Sequence, residues 1–137
     1  MSSNPKITDW KGKRVWLVGA SSGIGAAVAR ELAGRGARVA LSARSADKLA
    51  ALAIADALLL PCDATDVASL AAARKKLLAT WGGVDLVIYL AGDYVPMRAD
   101  NFDLAVAEKV VTVNFNAAMR LTATVLGDLK PGGGIAF

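Results

Sequence analysis

Apolar and polar positions along the chain switch repeatedly between the continuous run of a buried strand and the stripe of a helix. Arg14 to Val18 is a short β-branched and aromatic run ending at Gly19, which predicts a buried strand. Ile24, Val28 and Leu32 then recur every four residues, which predicts a helix with one apolar stripe. Gly34 and Gly36 offer left-handed positions to end it. Arg38 to Ala43 gives a second strand, and Ser45 is a good N-cap for a short helix through about Leu52. Ala57 to Cys62 reads as a third strand, with Pro61 near its end because proline has no ladder N–H.

Thr65 and Asp66 open the next helix, whose buried stripe is Val67, Leu70, Leu77, Leu78 and Trp81, and Gly82-Gly83 closes it. Val84 to Leu90 is a fourth strand, broken by Gly92. From roughly Asp100 to Lys130 the pattern predicts one long helix with apolar residues on more than one face, among them Phe102, Phe115, Leu121 and Val125. Pro131 and the three glycines after it end that helix, and Ile135-Ala136-Phe137 begins a fifth strand. Strands separated by helix-length crossovers specify parallel pairing with right-handed connections. The expectation is a single α/β domain over residues 1–137, a doubly wound parallel sheet with helices on both faces.

Composition agrees with that layout. The chain is 55% hydrophobic and 20% charged, as suits a sheet hidden on both faces. A net charge of +4 raises the question of nucleic acid. The basic residues are scattered, however, and the one tight cluster, Arg74-Lys75-Lys76, falls on a predicted amphipathic helix, where a charge run is ordinarily a solvated face. No helix-turn-helix, zinc-finger or aromatic RNA-binding signature accompanies it, so no nucleic-acid partner is expected. A single cysteine, Cys62, allows no intramolecular disulfide and fits a reducing compartment. With no histidine and one thiol, no transition-metal site is expected. The segment Met1 to Lys6 holds no signal-type apolar stretch. The most apolar segment, Leu49 to Leu60, is interrupted by Asp56 and followed by Pro61, so a soluble, cytoplasmic protein without a membrane span is expected.

The candidate chemistry begins at Gly19-Ala20-Ser21-Ser22-Gly23-Ile24-Gly25, between the first strand and the first helix. Glycines there let the backbone turn sharply and approach a pyrophosphate, while the helix N-terminus offers unpaired N–H groups and the positive end of its dipole. The competing reading is a glycine-rich connection with no ligand; placement at the first strand-to-helix turn favours the dinucleotide.

The spacing G-x-x-x-G-x-G resembles that of the short-chain dehydrogenases/reductases, and the resemblance extends over the whole chain. Asp63 in C-D-A-T-D, followed by Ala64, resembles the family's aspartate after the third strand, which contacts the adenine. Leu90-Ala91-Gly92 is similar to the family's N-A-G at the end of the fourth strand. Asn114 in T-V-N-F-N matches the helix asparagine of the family's Asn-Ser-Tyr-Lys catalytic set. The resemblance implies a Rossmann-type sheet in the order 3-2-1-4-5. It also implies a cofactor seat made of Gly19, Ser21, Ser22, Gly23, Ile24, Gly25, Asp63, Ala64, Ala91 and Gly92, and a small-molecule carbonyl or alcohol substrate.

NAD and NADP are told apart at the end of the second strand, where an acidic residue would accept from the ribose 2′-OH. This chain has Ser42-Ala43-Arg44-Ser45 there and no carboxylate until Asp47. A guanidinium at Arg44 suits a 2′-phosphate, so NADP(H) is expected over NAD(H); the alternative is a solvated arginine at a helix entrance.

Departures from the family pattern shape the functional expectation. Val18 stands at the threonine before the first glycine, and Leu90 at the asparagine of N-A-G, which helps tie neighbouring strands in the family. The family's serine and Tyr-x-x-x-Lys would follow the fifth strand, past Phe137. Tyr94 and Arg98 are four apart, but Pro96 between them opposes a helix, and arginine does not titrate as lysine does. Tyr94 is therefore expected at a loop or substrate rim and Tyr89 in the core. Asn114, unfavourable in mid-helix, holds a relay water in the family or else caps a local helix distortion. The sequence is thus expected to be the cofactor-holding N-terminal part of an NADP(H)-dependent oxidoreductase, inactive alone. The alternative is a non-catalytic dinucleotide-binding module. An unpaired edge after the fifth strand and the many-faced Asp100 to Lys130 helix predict a homo-oligomer.

Overall fold

The computed structural model describes residues 6–137; Met1 to Pro5, most of the N-terminal segment without a signal-type run, lie outside the described residues. The strands are β1 (Arg14–Val18), β2 (Arg38–Ser42), β3 (Leu58–Leu59), β4 (Val84–Tyr89) and β5 (Leu129–Ala136). They form one parallel sheet in the order β3-β2-β1-β4-β5, the doubly wound Rossmann order. The helices are α1 (Gly23–Gly34), α2 (Ala46–Ala50), α3 (Val67–Trp81), α4 (Leu104–Val111) and α5 (Ala117–Val125).

Successive β1 residues enter opposite layers, which is why the strand is apolar throughout. Trp16 and Val18 pack with Leu70 and Leu77 of α3 and Leu121 of α5. Val15 and Leu17 pack with Leu32 of α1 and Leu49 of α2. Asp85 sits near the amino end of β4. Its carboxylate accepts from Arg14 N at 2.8 Å, Nε at 2.9 Å and Nη2 at 3.0 Å. Those bonds, with the nearby guanidinium charge, hold Asp85 below the usual aspartate value of 3.8. A depressed folded value contributes stability that is present above 3.8 and is lost as pH falls through the folded value. Asp85→Asn is therefore expected to cost about 1–3 kcal/mol near neutral pH. Thermal melts should show that deficit shrinking in acid; a deficit that does not change with pH would contradict it.

Several sequence expectations need correction. The stripe of α1 is Gly25, Ala26, Ala29 and Leu32, and Ile24 is exposed. A strict four-residue repeat drifts around the helix, whereas a mix of four and three stays on one face. Val67 is also exposed, since it stands in the first turn beside the N-cap Asp66. The third strand is short, with ladder pairing at Leu58–Leu59; Pro61 faces the open edge of the sheet and leaves the inward bonds Leu60 N to Leu41 O and Cys62 N to Ala43 O in place. Arg74 is no member of a solvated face; it makes paired bonds of 2.5 and 2.6 Å to the buried Asp128 carboxylate, tying α3 to the start of β5.

The Asp100 to Lys130 helix departs furthest. Phe102 precedes α4 and is exposed, Thr112–Asn116 form a π turn between α4 and α5, and the helix ends at Val125. β5 begins at Leu129, ahead of the expected Ile135. Pro131 and the glycines lie within it, accommodated by a register shift between Val84 and Leu86 of β4.

Candidate functional site

The glycine turn is dictated by close approach. Gly19 has φ +95°, and a Cβ there would collide with the Ala91 backbone. A Cβ on Gly25 would collide with the Gly19 carbonyl oxygen. Gly19 N and Ala20 N both donate to the Ser42 carbonyl, at 2.8 and 3.1 Å, which fixes the turn against β2. At Gly23 the reason is different: its φ is +53°, and nothing lies within 4 Å of where a Cβ would stand. Space is left open above the turn.

The N-terminus of α1 is bare of its own side chains. Ser22 is extended, makes no side-chain cap bond, and no acidic residue follows in the first turn. By contrast Ser45, Asp66 and Asp103 cap α2, α3 and α4 through their side chains. The N–H groups of this 12-residue helix and its positive dipole end are thus left for an anion. Cradle and donors together fit a dinucleotide pyrophosphate.

A cleft of about 760 Å³ opens over this turn at the carboxyl ends of the strands. Its lining includes Gly19, Ser21, Ser22, Gly23, Ile24, Gly25, Arg44, Asp63, Ala64, Ala91 and Gly92, bringing together every expected cofactor residue. Asn114 does not line it. Lys48, Tyr89 and Lys109 line the cleft and were not anticipated there. Lys48 had a legible signal, standing three residues past the N-cap Ser45; Lys109 had none, because the π turn resets which face of the helix meets the sheet.

Asp63 is held ionised. Its Oδ1 accepts from Thr65 Oγ1 at 2.7 Å and Thr65 N at 2.9 Å, and these bonds, with a smaller contribution from the Arg44 charge, keep the carboxyl below its usual value. The floor behind it stays neutral. Burial pushes the Cys62 thiol up, and burial followed by the charge of Asp63 does the same to Tyr89. The Tyr89 hydroxyl donates to the Val113 carbonyl at 2.5 Å, satisfying an oxygen in the π turn.

Asn114 occupies that π turn, and its amide clamps the loop after β4 in both directions. Oδ1 accepts from Asp93 N at 2.7 Å, and Nδ2 donates to Asp93 O at 2.9 Å. Both bonds offset the cost of an asparagine within a helix. Leu90 retains a backbone tie to β1 through its N–H to Val18 O at 2.7 Å, while its side chain packs in the α1 layer. Tyr94 is 83% exposed in the loop, and Arg98 pairs with Asp100 at 3.4 Å, so the two share no helix face. Among the described residues no group of three or more metal-ligating side chains occurs, and no helix is long and apolar enough to cross a membrane.

A doubly wound sheet with uncapped N–H groups at its first turn is the architecture of nucleotide-binding α/β proteins. The short chain dehydrogenase profile matches residues 13–137, and the chain belongs to that family. It is 32% identical over 137 residues to mouse dehydrogenase/reductase SDR family member 7, covering 86% of this chain and 40% of the relative. A fatty acyl-CoA reductase of Acinetobacter baylyi is 32% identical over 124 residues, covering 85% of this chain and 42% of the relative. The solved structure of a short-chain dehydrogenase/reductase from Serratia marcescens superposes with a TM-score of 0.85 at 28% identity, covering 93% of this chain and 55% of that one. The match thus spans less than half the length of these two curated relatives.

Proposed function

We propose that residues 1–137 form a single NADP(H)-holding domain of an oxidoreductase that moves hydride between the nicotinamide and a carbonyl or alcohol. The observation that carries this reading is the uncapped α1 N-terminus beside Gly19 and Gly25, which admit no side chain. In it the turn Gly19 to Gly25 holds the pyrophosphate, Asp63 and Ala64 meet the adenine, and Ala91 and Gly92 border the nicotinamide half. Arg44 meets the 2′-phosphate. Its support is chemical: a cation at the end of β2 with no carboxylate before Asp47. The cofactor, when bound, supplies or accepts the hydride. Asn114 serves catalysis as a positioning residue, holding the Ala91 to Asp93 loop through its two bonds to Asp93. A second reading, a binding module without catalysis, is favoured by Leu90, which puts an apolar side chain where the family carries an amide.

Fluorescence titration with NADPH and NADH tests the cofactor reading. Tighter NADPH binding supports it, equal affinities overturn the preference for the phosphorylated cofactor, and no binding overturns the reading itself. Hydride transfer to a panel of ketones by the protein in its cellular form separates oxidoreductase from binding module.

Two further elements belong to this reading. The lone buried thiol suits the reducing cytoplasm. Leu104, Val111, Phe115 and Met119 leave more than half their surface exposed at helical spacing along α4, the π turn and α5, a contiguous apolar face that a second copy covers. Light scattering is expected to give at least twice the chain mass of 14.1 kDa, and a monomeric mass would contradict the self-association.

A further inference from the structure

Ser42 is the sole fully buried polar residue among the described residues, and it stands where three strands meet the cleft. Its Oγ accepts from Trp16 Nε1 of β1 at 2.8 Å and donates to the Leu60 carbonyl, just past β3, at 2.7 Å. An indole N–H only donates and a carbonyl only accepts, so the direction of both bonds is fixed. The seam they cross is short. β3 pairs over two residues, and beyond that pair the backbone bonds are Leu60 N to Leu41 O and Cys62 N to Ala43 O. The hydroxyl adds a further lateral bond between those two, on the Leu60 carbonyl.

The position matters because each of these two strands leads directly into a cleft residue. Two residues past Ser42 stands Arg44, and three past Leu60 stands Asp63, both lining the adenosine end of the cleft. The Ser42 carbonyl also takes the Gly19 and Ala20 N–H groups, so this one residue touches the supports of the turn and of both side chains. We propose that Ser42 is a positioning residue whose hydroxyl, bridging Trp16 to the Leu60 carbonyl, sets the spacing of Arg44 and Asp63 and thereby the adenosine end of the seat. This inference rests on the NADP(H) reading.

Removing the hydroxyl leaves a buried indole N–H and a buried carbonyl without that partner, and relaxes the seam locally. The nicotinamide half, held from β4, does not depend on it. The test is an NMR titration of the 15N-labelled chain with each half of the cofactor separately: adenosine 2′,5′-bisphosphate and nicotinamide mononucleotide. Ser42→Ala is expected to weaken the adenosine half about tenfold and leave the nicotinamide half unchanged, while Ser42→Thr, which keeps a hydroxyl, restores the adenosine half. If Ser42→Ala does not fold, Ser42→Cys, close in volume and a much weaker bonding partner, takes its place with the same two arms, kept under reducing agent because the Cys62 thiol lies beside it. Equal weakening of both halves would show a general structural role and overturn the proposal, as would no weakening of the adenosine half. A wild-type chain that binds neither half overturns the NADP(H) reading together with this inference, whereas normal wild-type binding with an indifferent variant overturns the inference alone.

Discussion

Gly25→Ala is expected to weaken NADPH binding by about a hundredfold or more. The added Cβ would overlap the Gly19 carbonyl oxygen, a backbone atom that no side-chain rotation can move aside. Gly19 in turn is pressed against Ala91 and bonded to the Ser42 carbonyl, so the clash passes to three strand ends at once. The turn must then lift from α1, taking the N–H cradle out of register with a pyrophosphate. The comparison that isolates this effect is Gly34→Ala in the same helix, where nothing lies within 4 Å of the new Cβ. That variant is expected to bind NADPH as the parent does and to melt at an equal or higher temperature, alanine being the better helix former. Cofactor fluorescence and thermal melts on the pair distinguish a blocked seat from a weakened fold; equal NADPH affinity in both would contradict the cradle.

The second large effect falls on the choice between cofactors. Arg44→Ser is expected to lower NADPH affinity about thirtyfold and to leave NADH affinity unchanged, since only the 2′-phosphate loses its charge-assisted bonds. Arg44 is exposed at the cleft rim after β2, so its removal disturbs no packed core. The effect should also weaken in high salt, because an exposed ion pair is screened. Parallel losses for both cofactors would place Arg44 at the adenine alone and would count against the phosphate contact.

Much of the fold was legible in the chain because each element carries a local cause. The β-branched run before Gly19, the caps Ser45 and Asp66, and the left-handed Gly36 and Gly82 mark the first four strands and their helices without reference to the rest of the molecule. The glycine turn was legible for the same reason, since a turn that tight admits few residues. What stayed hidden depends on contacts distant in sequence. Arg74 looks solvated until Asp128, 54 residues on, reaches it. The π turn at Thr112–Asn116 has no glycine or proline to announce it; it is held by Tyr89 from β4 and by the Asn114 clamp on Asp93. The fifth strand was masked by Pro131 and its glycines, which read as a helix stop and in fact form an irregular strand paired to β4. Ser42, unremarkable in L-S-A-R, gains its meaning only when Trp16 and Leu60 are brought to either side of it.

The proposed chemistry stands or falls with the cleft over the α1 N-terminus being the seat of NADP(H). Amide chemical-shift mapping of the 15N-labelled chain on addition of NADPH reads this out residue by residue. The largest shifts are expected at Gly19 to Gly25, Arg44 to Ser45, Asp63 to Thr65 and Ala91 to Asp93, with the outer face of α4 and α5 unmoved. Saturable shifts elsewhere, or none at these four segments, would contradict that seat.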